Sequence, residues 1–208
     1  MIFHYPAGIK NEKSLQKSTK SKISSLKGRK ILNASNRGRD FENAINETNE
    51  YYRNNGLALI YKRPTPINVV KVDYAKSATI TKAYFEKQST TDYNGVYQGA
   101  YLDFEAKSTH NKTSFPLSNI PHQQIEHLEA VIKQKGIAFF LIELKKEEKI
   151  YFLDAKFVIS YYRKRERKSI PFSELEKIGI LIKEGYQPRI DYLPIIKHLY
   201  FDIDKNPS

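Results

Sequence analysis

The stretch TTDYNGVYQGAYLDFEAKST, Thr90 to Thr109, decides how this chain is read. In its second half Tyr101, Asp103, Glu105 and Lys107 stand at every other position, with Leu102, Phe104 and Ala106 between them. Successive side chains of a strand point to opposite faces. Ala100–Lys107 is therefore predicted to be a strand with one apolar core face and one polar face. Turn signals at Asn94-Gly95 and Gln98-Gly99 precede it, and a hairpin-like return would bring Asp92 beside Glu105. Two carboxylates at close range repel, and one takes up a proton unless a cation joins them. Oxygen donors of this kind suit magnesium. Lys107 shares the face of Glu105 and could orient or deprotonate a water, or stabilise charge growing on a phosphoryl group. Asp92, Glu105 and Lys107 thus form a candidate constellation for phosphodiester hydrolysis. The bare Asp…Glu-x-Lys pattern leaves a second use open, a cross-strand salt bridge around Glu105 and Lys107.

Upstream, a helix is predicted from Ser35 to Asn54. Ser35 or Asn36 can cap it, Phe41, Ala44, Ile45, Tyr51 and Tyr52 fall on one face, and Asn54-Asn55-Gly56 ends it. Leu57–Arg63 reads as a strand, and Pro64-Thr65-Pro66 then interrupts pairing because Pro supplies no ladder donor. Ile67–Tyr74 and Ala78–Glu86 read as a hairpin. Six Lys/Arg stand against two acids between Tyr61 and Lys87, so this pair is either a basic β-ribbon leaving the body or an ordinary pair of edge strands. Downstream come a helix over Pro121–Gly136, strands at Ile137–Leu144 and Ile150–Leu153, short helices at Ala155–Arg163 and Phe172–Ile178, and a last helix near Pro194–Leu199. This order predicts an α/β domain with a central mixed sheet and helices on its faces. His122 and His127, five apart on one helix, do not share a face, which argues against zinc. The RKRERK run, Arg163–Lys168, reads as a solvated face or as a phosphate contact.

The chain has 208 residues, 35 Lys+Arg against 23 Asp+Glu, and a net charge of +12. Such an excess points to a polyanionic partner, nucleic acid first. Met1 to Arg39 hold ten Lys/Arg and one acid, a net +9. A segment so polar cannot bury enough apolar surface to offset its ordering entropy, and residues 1–35 read as a flexible basic arm that tracks phosphates. Asp202–Ser208 reads as a polar tail. With no Cys there is no disulfide, Cys-zinc site or thiol nucleophile. The opening residues lack the apolar core of a signal peptide, and no window approaches the ~18 apolar residues of a membrane span. A cytoplasmic protein is expected.

Asp92 with Glu105-Ala106-Lys107 resembles the PD-(D/E)xK nuclease motif. The surrounding text resembles the RecU family of Holliday junction resolvases in order: SNRGRDFENAINETNEYY, KRPTPINVVKV, AYFEKQSTTDYNGVYQGAYLDFEAKSTHNKTSFPL, HQQIEHL and PRIDYL, from about Ser35 to Phe201. The resemblance implies a restriction-endonuclease-like fold, a homodimer, and a four-way junction DNA substrate cut by paired nicks. It implies Asp92 and Glu105 as catalytic carboxylates and Lys107 as the lysine that stabilises the transition state. It adds Thr90 and Gln124 to the magnesium ligands, positions otherwise read as a turn residue and a solvated helix residue. Glu42 stands where related nucleases often place a further acid near the metal, or is simply solvated. A nuclease domain over 36–201 is implied, with residues 64–87 as a stalk that enters the junction and Tyr84 and Phe85 available to stack on bases. Arm and stalk are also expected to bear on branch-migration and recombinase proteins. A nuclease for linear duplex and a non-enzymatic junction binder are the rival readings.

Overall fold

A computed structural model describes residues 34–75, 77–85, 90–164 and 166–202, with side chains from Asp40 onward. The arm expected over 1–35 lies outside these up to residue 33, as do residues 86–89 and the tail beyond Asp202.

Alternation and apolar runs build one six-stranded sheet. Its strands are β1 (Leu59–Lys62), β4 (Tyr93–Tyr97), β5 (Ala100–Thr109), β7 (Ile137–Leu144), β8 (Lys149–Asp154) and β10 (Ile180–Ile182), side by side in that order. All neighbours run antiparallel except the central pair β5 and β7. A parallel pair needs a crossover, and α2 (His122–Lys133) supplies it. The remaining helices are α1 (Ala34–Asn54), α3 (Ala155–Lys164), α4 (Phe172–Ile178) and α5 (Leu193–Tyr200). Two strands of three residues, β6 (Ser114–Pro116) and β9 (Ser169–Pro171), pair apart from the main sheet. The architecture is the expected α/β one, a central mixed sheet flanked by helices.

Each sheet face has its own core. On one, α1 and α5 pack Phe41, Ala44, Ile45, Tyr52, Leu193 and Ile196 against the strands. There Tyr93, Phe104, Phe139 and Phe152 make an aromatic row across β4, β5, β7 and β8, with ring centroids 4.8, 4.5 and 4.7 Å apart. Offset-stacked rings at this spacing add to their area burial. On the other face α2, α3 and α4 cover Ala138, Phe140, Ile142, Tyr151 and Leu153. Leu102 and Phe104 of β5 belong to the first core, so Asp103 and Glu105 point toward the second, beneath α2.

The segment Ile67–Phe85 is separate from this body sheet. Strands β2 (Ile67–Asp73) and β3 (Thr79–Phe85) pair only with each other as an antiparallel ribbon. Every residue of β3 is exposed, and in β2 only Val72 is partly covered. No described helix is long and apolar enough to cross a membrane.

Three expectations are corrected. Asn94-Gly95 is no turn: both residues lie inside β4, and the chain reverses at Gln98-Gly99, where both have positive φ. The main chain of β1 passes so close to Gly95 that an added Cβ would overlap Leu59 O and lie 2.7 Å from Ile60 Cα. Glycine is required there for close approach rather than for turning. Ser35 and Asn36 lie within α1, which begins at Ala34, rather than at its cap. The helix predicted to reach Gly136 ends at Lys133, and Lys135 takes a positive φ beyond it.

Gly95→Ala is expected to force β1 away from β4 and cost about 1–3 kcal/mol, the range for overpacking. Thermal denaturation against the wild type checks this, and an unchanged melting temperature would mean that β1 yields freely.

Candidate active site

The antiparallel register of β4 and β5 pairs Tyr93 with Phe104 and Asn94 with Asp103. Continued by one residue, it sets Asp92 against Glu105, and the Asp92 N–H donates to Glu105 Oε2 at 3.0 Å. On the other side of β5, Glu105 pairs with Phe140 of β7, so an aromatic ring flanks the carboxylate. Glu105 is fully buried. Lys107 Nζ stands 2.6 Å from Glu105 Oε1. It approaches outside hydrogen-bond alignment, so this oxygen has an ion pair and no directional donor. Burial pushes the Glu105 carboxyl up to about 8, the charge of Lys107 pulls it back, and the charge of Asp92 raises it again.

The first turn of α2 delivers Gln124 to the same place. Its side chain is buried, its Nε2 donates to Thr90 O at 3.4 Å, and its Oε1 has no hydrogen-bond partner among the described residues. Thr90, Asp92, Glu105, Lys107 and Gln124 are thus brought to one locality by the segment that leads into β4, by β5 and by α2. A buried acceptor without a donor needs an explanation. Two carboxylates, an amide oxygen and a threonine oxygen form an all-oxygen donor set that fits a hard divalent cation. Among the described residues no group of three or more His, Cys, Asp or Glu side chains gathers in this way, so the amide and threonine oxygens would have to complete the shell.

Glu42 sits differently. Its exposed carboxylate pairs with Lys62 of β1. Its main-chain carbonyl accepts from the Tyr93 hydroxyl at 3.5 Å, and burial followed by the charges of Glu42, Asp92 and Glu105 pushes the Tyr93 phenol up. His122 and His127 are separate, as their spacing requires: His122 pairs with Glu126 at 3.1 Å. Arg163, first of the RKRERK run, grips Glu129 with two donors at 2.8 and 2.7 Å.

A second polar cluster adjoins the carboxylates, and sequence reasoning missed it. Asp103, fully buried, accepts from Arg63 Nη2 at 2.5 Å, Tyr101 OH at 2.8 Å and His127 Nε2 at 3.0 Å, and also from the Thr91 hydroxyl. Burial pushes its carboxyl upward. The bonds from His127 and Thr91, the charge of Arg63 and the bond from Tyr101 outweigh that and hold it below its ordinary value. One signal was available: Asp103 shares the β5 face of Glu105.

A mixed α/β sheet that sets two carboxylates and a lysine side by side is the arrangement expected of a nuclease. Residues 36–198 match the RecU family, described as recombination protein U, and the chain belongs to that family. A relative from Geobacillus sp. (strain WCH70), named Holliday junction resolvase RecU, is 46% identical over 206 residues, covering 97% of this chain and 99% of the relative. One of the same name from Geobacillus kaustophilus is 51% identical over 171 residues, covering 80% and 86%. Among solved structures, Hjc of Archaeoglobus fulgidus, a Holliday junction resolvase, aligns with a TM-score of 0.41 and 14% identity over 71% of this chain and 93% of its own.

The raised Glu105 carboxyl has a stability consequence. Unfolded, it titrates near roughly 4.3; folded, at about 8. Its contribution to stability is complete below the unfolded value and is lost as pH rises through about 8. Glu105→Gln removes that loss. In chelator the variant should melt above the wild type at pH 8, with the gap closing toward pH 5. Equal melting temperatures at pH 8 would show that the buried carboxylate carries no such penalty.

Proposed function

We propose that this chain is a Holliday junction resolvase: a divalent-metal-dependent endonuclease, with magnesium as its ion, that places paired symmetric nicks in four-way DNA junctions as a homodimer in the cytoplasm. The observation that carries the reading is the meeting of Asp92, Glu105 and Lys107 near Gln124, whose buried Oε1 has no hydrogen-bond partner among the described residues.

Asp92, Glu105, Gln124 and Thr90 would hold the ion. A divalent cation bound there supplies Lewis acidity and a water of lowered pKa. Glu105 comes to that role poorly solvated by the protein, so its negative charge is concentrated on whatever cation it meets. Lys107 is the positive group at hand to orient the attacking water or to screen charge developing on the phosphoryl oxygens. In-line attack of water on phosphorus forms the new P–O bond and breaks the bond to the 3′ oxygen. It leaves a 5′-phosphate and a 3′-hydroxyl.

One chain carries one such centre. Two opposed nicks in a two-fold junction call for two chains related by two-fold symmetry. The paired, exposed strands Ile67–Asp73 and Thr79–Phe85 would form the stalk, proposed over 64–87, that enters the opening of an unstacked junction. There Tyr84 and Phe85, both exposed, would stack on bases. Duplex arms would be held through phosphates, with the basic segment 1–35 adding contacts and salt weakening them steeply. Contacts of arm and ribbon with recombinase and branch-migration proteins belong to the same reading.

Two measurements separate it from its rivals. On a synthetic four-way junction the wild type should nick symmetrically with magnesium and not with chelator, and Asp92→Ala should bind and not cut. Cutting by Asp92→Ala would remove the proposed centre, and a wild type that only binds would make the chain a junction binder. Deleting Ile67–Lys82 should abolish junction cutting and spare any cutting of linear duplex. Junction cutting at the wild-type rate after the deletion would exclude the stalk.

A further inference from the structure

The Asp103 cluster has a position that a plain buried ion pair would not need. Arg63 immediately precedes the proline-interrupted entry to the ribbon, and Thr91 lies just past its return. The two ends are tied twice: Arg63 N–H donates to Asp92 O at 2.8 Å, and Arg63 Nη1 donates to the Thr91 hydroxyl at 3.2 Å. Arg63 Nη2 also reaches Tyr101 OH at 2.8 Å and Asp103 at 2.5 Å, both on β5. His127 brings α2 to the same carboxylate. Each segment that carries a proposed cation donor therefore carries a member of this cluster close by. Thr91 lies between Thr90 and Asp92. Asp103 is two residues before Glu105 on the same face. His127 is three residues after Gln124, nearly one turn along α2.

Arg63 sets its charge 2.5 Å from the buried Asp103 carboxylate. Its guanidinium is planar and presents donors in a fixed fork, so it holds its acceptors at set separations. Groups behind a metal's own donors orient them, and removing such a group typically lowers metal affinity about 10–100-fold. We propose that Arg63 is a positioning residue which, through Thr91 and Asp103, fixes the separation of Asp92 and Glu105 and so sets the divalent-cation affinity of the site. This inference rests on the metal-dependent reading above.

The test uses the full chain with Mn2+ alone, followed through the electron paramagnetic resonance of the free ion, together with the magnesium dependence of single-turnover junction nicking. Arg63→Met keeps the aliphatic stem and removes the fork. It should bind Mn2+ about tenfold more weakly and move the magnesium midpoint of nicking upward by a similar factor. Its junction affinity in chelator should change little. Arg63→Lys should fall between the two. A variant that melts lower but keeps the wild-type Mn2+ isotherm and magnesium midpoint would overturn the proposal, leaving a merely structural ion pair. If Arg63→Met does not fold, Tyr101→Phe removes one donor from Asp103 while keeping the ring. A Mn2+ isotherm identical to wild type in that variant would count against the proposal equally. Asp92→Ala, run in parallel, must lose Mn2+ binding; if it does not, the cation-site reading fails, whatever Arg63 does.

Discussion

A carboxylate taken out of water must be given donors, a counter-charge or a proton, and β5 takes two of them out of water on one face. Asp103 and Glu105 are both fully buried, yet they are treated in opposite ways. Asp103 is met by four donors on four different segments and stays readily ionised. Glu105 receives one main-chain N–H and an off-line ammonium, next to the ring of Phe140, and its carboxyl is pushed toward the neutral form. The first is a fastener. The second is held in an under-solvated state, the kind of environment that the proposed cation would relieve.

The opposite face of the same strand makes this arrangement possible. Phe104 sits in the middle of the aromatic row running from Tyr93 to Phe152, with Tyr192 tilted onto it at 5.3 Å. Tyr192 is itself anchored through Asn49 of α1 and through the Tyr52 hydroxyl, which accepts from the Tyr192 N–H at 3.1 Å. This packing ties β4 to β5 in a register that one residue of slip would destroy, because slip would turn Asp103 and Glu105 into the apolar core. Ring stacking on one side thus dictates which acids meet on the other.

How far the sequence revealed this differs from residue to residue. The alternation across Tyr101–Lys107 announced both faces of β5, and the return of Asp92 to Glu105 followed from hairpin geometry. Thr90 and Gln124 carry no pattern of their own and entered only by resemblance. Asn94-Gly95 misled because glycine marks turns and close main-chain approaches alike, and only the path of β1 over Gly95 separates the two. Arg63 and His127 were invisible as partners of Asp103, since they lie 40 and 24 residues away along the chain and share no periodicity with it. The strands Ser114–Pro116 and Ser169–Pro171 are too short for alternation to register.

The ribbon's register carries a quiet consequence. Lys71 faces Lys82 directly across the two strands, at a point where the pairing is irregular, and the Lys82 ammonium lies 5.5 Å from the Tyr84 ring. Like charges set opposite one another weaken a strand pair. The two exposed lysines thus loosen the hairpin at its middle, and dissolved salt, by screening their repulsion, tightens it.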